Sequence, residues 1–181
     1  MTQQKRNVLT LPGWQGSEAN HWQTLWEQRF GFLRVEQHNW MRPLRGDWVA
    51  RLEEVVLEQE KPCVLVAHSL GCMLVASWAA YSRNTNRVQA ALMVAPADTE
   101  SAFLQGSIHG WTGIQLQKLP FKSSVIASGN DPFCSLTKAQ SFAQSWGAEF
   151  TDVGLLGHIN AKSELGDWPQ GYEKLMQLIQ Q

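Results

Sequence analysis

The chain is short of the features that mark several large protein classes. Its three cysteines, Cys63, Cys72 and Cys134, are odd in number. None is spaced as CxxC and no HxxxH pair accompanies them, which argues against a disulfide framework or a zinc site and for reduced, buried thiols. Neither charge dominates, since 15 Lys and Arg stand against 16 Asp and Glu for a formal net charge of -1. With no basic run longer than Lys5-Arg6, nothing would draw in a phosphate backbone, and nucleic acid is not an expected partner. No apolar stretch reaches membrane-spanning length, and Met1 to Arg6 lacks the apolar segment of a signal peptide, so a cytoplasmic protein is expected. GxGxxG and the lysine of a P-loop are missing too, and no cofactor or metal is expected. Repeats, low-complexity tracts and linkers are absent, and residues 1–181 are expected to form a single domain with its own core.

Tryptophan, by contrast, is abundant, with nine in 181 residues. Trp22 and Trp26 lie four apart on one helix face and read as core. Trp14 and Trp111 fall in expected loops, where lining an apolar pocket stands as a role beside core packing. Along the chain, apolar strands at Val8 to Leu11, Phe32 to Glu36, Cys63 to Ala67, Val88 to Ala95, Ser124 to Ala127 and Glu149 to Val153 alternate with helices. The helices are read as running to about Arg29 after a cap at Ser17 or Asn20, from about Asp47 to Gln59, from Leu70 to Tyr81, and from near Ser135 to Trp146. The last opens at Asp167-Trp168-Pro169, with Asp167 as cap and Pro169 in the first turn. In the second of them Val49, Leu52, Val55 and Val56 share an apolar face. Such alternation predicts an α/β fold, a mostly parallel sheet of about six strands with helices on both faces. Only Asp98 to Lys118 resists assignment; a connection of that length is often a lid or pocket wall.

Ligands of open parallel sheets bind at the carboxyl ends of the strands. The residues that follow the strands here are Pro12-Gly13-Trp14, Ser69, Asp98, Asp131 and His158. Val64-Leu65-Val66-Ala67-His68-Ser69-Leu70-Gly71 reads as a nucleophile elbow of the form small-x-Ser-x-Gly, with Ala67 in place of the first glycine and a positive φ expected at Ser69. A serine capping a helix after a buried strand would give the same pentapeptide, so the other strand ends must decide. His158 can act as the base that a serine hydroxyl needs, and an aspartate on its second nitrogen would fix its tautomer. Asp131, in the turn Gly129-Asn130-Asp131-Pro132, is preferred for that role, with Asp98 as rival; Asp152 is read as a surface residue. His68 is expected to be structural. His21, His38 and His109 are weaker candidates, although His109, in the unassigned connection, could meet substrate. The oxyanion donors would be the Leu70 amide and one from the glycine-bracketed turn, with Trp14 preferred and Gln15, otherwise a pocket residue, as alternative.

Leu11-Pro12-Gly13-Trp14-Gln15-Gly16 with His21-Trp22, then His68-Ser69-Leu70-Gly71, Ser128-Gly129-Asn130-Asp131-Pro132, Gly157-His158-Ile159-Asn160 and Gly166-Asp167-Trp168-Pro169 span nearly the whole chain in order. On these motifs the sequence resembles the small serine hydrolases related to retinoblastoma-binding protein 9, in particular their bacterial members. The resemblance implies a minimal α/β-hydrolase fold without a large cap domain, and a triad of Ser69, Asp131 and His158. The expected activity is hydrolysis of small carboxylic esters, or of short amides or peptides, through an acyl-serine. The alternative is a non-catalytic protein-binding module on a hydrolase scaffold. Short acyl groups of roughly two to six carbons are expected, because each methylene gains ~0.8 kcal/mol only while it finds apolar surface, and Trp111 is the expected wall.

Overall fold

The structure, a computed structural model, describes residues 7–180; the polar stretch Met1 to Arg6, with Lys5-Arg6, lies outside the described residues. β1 (Val8–Leu11) is buried along its length. α1 (Trp22–Phe30) opens on His21, whose Nδ1 accepts the Gln23 amide at 3.1 Å, and closes on Gly31 at φ 70. Neither Ser17 nor Asn20 is therefore the cap; the Ser17 hydroxyl donates to the Gln23 side chain at 2.8 Å instead. β2 (Leu33–Arg34) is shorter than expected, because pairing at this sheet edge stops once the Val35 amide has met the Thr10 carbonyl.

α2 (Arg45–Glu58) buries Trp48, Leu52, Val55 and Val56, with Val49 only partly covered at the margin of that face. β3 (Cys63–His68), α3 (Leu70–Tyr81) and β4 (Val88–Val94) follow. The connection from Asp98 to Lys118 holds one short helix, α4 (Ala102–Gln105), capped by the Ser101 side chain. After β5 (Lys122–Ala127), α5 (Leu136–Trp146) runs from the Ser135 cap to Gly147 at φ 67. β6 (Glu149–Asp152) and α6 (Pro169–Gln180) complete the order. Pro169 is the first residue of α6, but Asp167 does not cap it. Its carboxylate pairs with Arg29, and the Trp168 carbonyl accepts the first helical bond, from Tyr172 at 3.1 Å.

The six strands pair in the order β2-β1-β3-β4-β5-β6, all parallel. Side chains alternate across the sheet. Cys63, Leu65 and Ala67 of β3 join one apolar cluster with α2, α3 and α5, whereas Val64 and Val66 join the other with Trp22, Trp26, Trp168 and the inner face of α6. Both faces of β3 are thus buried, which is why it reads as an unbroken apolar run. The chain leaves β1 for β2 on one side and returns to β3 on the other. This reversal opens a crevice at the carboxyl ends of β1 and β3, the place where doubly wound sheets take ligands. No helix among the described residues is long and apolar enough to cross a membrane.

Candidate active site

Ser69 sits in that crevice, between β3 and α3, with φ 55 and ψ -120. A non-glycine residue in this region is strained, and the strain lifts the hydroxyl off the sheet. Close backbone approach explains the glycines. A Cβ on Gly71 would lie 2.2 Å from the Leu11 carbonyl oxygen, and one on Gly13 would lie 2.8 Å from the Ser69 Cβ. Ala67, wholly buried, pairs with Leu11 on one side and Met93 on the other; a methyl group fits there.

The Ser69 Oγ lies 2.9 Å from His158 Nε2, and His158 Nδ1 lies 2.9 and 2.8 Å from the two carboxylate oxygens of Asp131. Contact with both oxygens puts the proton on Nδ1 and leaves Nε2 to accept from the serine. The two side chains are almost completely buried, at 9% for His158 and 3% for Asp131. Asp98 is not brought to this point. Its carboxylate accepts the Glu100 amide at 3.2 Å, while Asp152, exposed, accepts the Gly154 amide at 2.9 Å.

Several groups pin the loop that carries His158. His68 Nε2 donates to the His158 carbonyl at 2.9 Å, and Trp22 Nε1 donates to the Ile159 carbonyl at 2.8 Å. From the turn after β5, the Asn130 side chain accepts the Gly157 amide at 2.7 Å and the Ser128 hydroxyl accepts the Leu156 amide at 2.9 Å. These supporting roles of Ser128 and Asn130 escape a reading by residue type, because serine and asparagine are ordinary in any turn. His68 is structural, as its place before the serine suggests. Burial, followed by neighbouring His21 and His158, holds its pKa well below the usual imidazole value. His21 is buried beside it, ring centroids 4.7 Å apart, and burial above all, then His158 and Arg34, brings its pKa down to about 3. His38 is exposed. All three cysteines are buried and unpaired; burial raises the Cys63 thiol to about 11 and, with Asp98 and Asp131 nearby, Cys134 to about 12.

Around Ser69 opens a cleft of about 760 Å³, lined by Trp14, Gln15 and Leu70 among others. The Gln15 amide is committed to the Trp40 carbonyl at 3.0 Å. The Gln15 amide is therefore taken, and the Trp14 amide stays the expected donor from this turn beside Leu70. One wall is apolar, made by Ala97, Phe103, Leu104, Ile108 and Phe133, whereas Glu18, Asn160, Lys162 and Ser163 line another part. The connection holding α4 does form a wall, but through Phe103, Leu104 and Ile108. Trp111 is instead buried at 2% exposure, packed edge-on against Trp48 with its indole N–H on the Pro43 carbonyl at 2.9 Å; it is a core residue, because a polar tip with an internal partner can be drawn inward. His109 is exposed and is not among the residues that line the cleft.

The serine hydrolase family model matches residues 8–177. A YdeN-like hydrolase from Pectobacterium atrosepticum is 30% identical, with 98% of this chain and 92% of that one covered and a TM-score of 0.86. The ydeN product of B. subtilis is 20% identical over 97% of this chain and 100% of its own, at a TM-score of 0.77. Est1E from Butyrivibrio proteoclasticus shares the fold at 12% identity and a TM-score of 0.73, with 97% and 90% covered. No curated protein matches.

Proposed function

Since the chain belongs to the serine hydrolase family, we propose that it hydrolyses small carboxylic esters through an acyl intermediate on Ser69, with His158 as base and Asp131 as its orienting acid. The observation that carries this reading is the continuous hydrogen-bonded line from Ser69 Oγ to His158 Nε2 at 2.9 Å and from His158 Nδ1 to Asp131 at 2.8 Å. The five motifs by which the sequence resembles the relatives of retinoblastoma-binding protein 9 support placing the chain near that group. Est1E, whose structure holds ferulic acid, contributes the fold and no more, because one fold hosts many chemistries.

The steps follow from the geometry. Ser69 Oγ attacks the substrate carbonyl carbon as its proton passes to His158 Nε2, and Asp131 stabilises the resulting imidazolium. Negative charge forms on the carbonyl oxygen, to which the Leu70 and Trp14 amides would donate. The intermediate collapses, the bond to the leaving oxygen breaks, and that oxygen takes the proton from His158. Water then gives a proton to His158, attacks the acyl carbon and releases the acid, and Ser69 regains its proton. Short amides run through the same cycle where His158 can protonate the leaving nitrogen. The reaction needs no metal or cofactor, and its partner is a small-molecule substrate; residues 1–181 acting as one cytoplasmic domain is the reading we favour.

A fluorophosphonate probe should label the wild type on Ser69 and leave Ser69→Ala unlabelled. A panel of p-nitrophenyl esters beside aminoacyl-coumarin amides should show ester turnover in the wild type alone. A folded wild type that neither takes the label nor turns over any ester would overturn the proposal and favour a binding module.

A further inference from the structure

We propose that Phe133 is the positioning residue for both His158 and Asp131, a proposal that rests on the acyl-transfer reading above. Its backbone N–H donates to Asp131 Oδ1 at 2.9 Å, beside the bond that the same oxygen makes to His158 Nδ1. Its ring packs on the His158 imidazole, centroids 4.5 Å apart and planes at 54°. Its carbonyl is in turn anchored by the Asp98 amide at 3.1 Å. One residue therefore touches the acid through its backbone and the base through its side chain.

The ring is needed for a geometric reason. Hydrogen bonds at Nδ1 and Nε2 define a line through the imidazole, and about that line the ring can still tilt. Tilting swings the Nε2 lone pair away from the serine proton, and hydrogen bonds weaken as their angle closes. Only groups packed against the ring resist this. His68 supplies one such contact, at 4.8 Å between centroids, and it is fixed by its own bond to the His158 carbonyl. Phe133 supplies another. Being half-buried at the edge of the cleft, it also keeps bulk water from that part of the imidazole, which strengthens both hydrogen bonds. Phe103 of α4 packs against Phe133 at 5.6 Å, so the wall of the cleft reaches the base through two rings.

The test uses p-nitrophenyl acetate, whose acyl group is too short to need the apolar wall. Phe133→Ala should lower kcat by about 10- to 100-fold, the usual penalty for a slightly misplaced catalytic group, with KM changed by less than about threefold. Phe133→Tyr, which keeps the ring, should restore kcat to within about threefold of wild type. The downfield proton resonance of a His Nδ1–H bonded to carboxylate should persist in the wild type and Phe133→Tyr and weaken or vanish in Phe133→Ala. Labelling of Ser69 by fluorophosphonate should slow in step with kcat. If Phe133→Ala fails to fold, Phe133→Leu, which keeps apolar cover without the ring, takes its place with the same expectation. A raised KM at unchanged kcat would make Phe133 a substrate contact only, and an unchanged kcat with the resonance intact would remove it from the machinery. Either result leaves the acyl-serine reading standing, whereas an inert, unlabelled wild type would sink that reading first.

Discussion

A methyl group at position 71 would lie 2.2 Å from the Leu11 carbonyl oxygen, and backbone cannot step aside as a flexible side chain can. Gly71→Ala should therefore destabilise the protein by about 3 kcal/mol or more, read from urea midpoints, and should impair turnover as well, because the displaced strand β1 leads into the Gly13-Trp14 turn. Ser69→Ala removes one oxygen atom, leaves the fold, and should cost three or more orders of magnitude in kcat; more than a tenth of wild-type esterase activity in the purified variant would exclude Ser69 as nucleophile. Asp131→Asn should lower kcat by about four orders of magnitude, while Asp98→Asn, whose carboxylate accepts the Glu100 amide rather than a bond from His158, should stay near wild type. The reverse ranking would move the acid role to Asp98. Ser69, Asp131 and His158 were legible in the sequence because each follows an apolar strand, and parallel strands bring their carboxyl ends together without help. That the Gln15 amide is taken was not, since its partner is the Trp40 carbonyl, on a distant loop that no local pattern announces.

At the scale of elements, periodicity located the long helices and strands, but ends set by unusual partners were missed. His21 caps α1 with a ring nitrogen, a role for which serine and asparagine are the standard expectation. Asp167 was drawn from capping α6 into a pair with Arg29, a residue of another helix. The four-residue α4 is too short to show a period at all, and with it the true wall of the cleft stayed hidden while Trp111 took its place. The structure now separates these roles. Trp111→Ala should destabilise the fold by about 3–5 kcal/mol, the usual cost of emptying an aromatic site, and should leave the dependence of kcat/KM on acyl length unchanged. Leu104→Ala and Ile108→Ala should flatten it, because the methylenes of the acyl chain lose the surface against which each gains ~0.8 kcal/mol. The wild-type profile is expected to peak between roughly two and six carbons. A rise continuing past ten carbons would refute the short-chain expectation, and a profile altered by Trp111→Ala would return that residue to the pocket.

Considered as a whole, the molecule places two neutral imidazoles in its interior beneath the crevice, and this ties its stability to pH. His21 and His68 pack ring against ring, and His21 also lies against Trp22, 5.3 Å between centroids, at the head of the cluster that joins α1 and α6 to the sheet. Burial holds the pKa of His21 at about 3 and that of His68 well below its usual value. In the unfolded chain both titrate near 6.5. Below that value the unfolded state binds protons that the folded state refuses, so stability is full above about pH 6.5 and falls as the solution is acidified, for His21 all the way toward pH 3. The slope should approach about 1.4 kcal/mol per pH unit for each histidine. Glu53, whose carboxylate is held below its ordinary value by bonds from Asn84, Ser82 and Trp78 despite partial desolvation, adds its loss only nearer its unfolded pKa of 4.5. The interval from pH 6 to 5 therefore isolates the imidazoles. Urea unfolding of the wild type should show stability dropping by roughly 2–3 kcal/mol across that unit. His21→Asn, which keeps an acceptor for the Gln23 amide, should show about half the slope. A wild-type stability that stays level between pH 6 and 5 would mean that both rings gain their protons without leaving the fold, and half the expected slope would mean that one does.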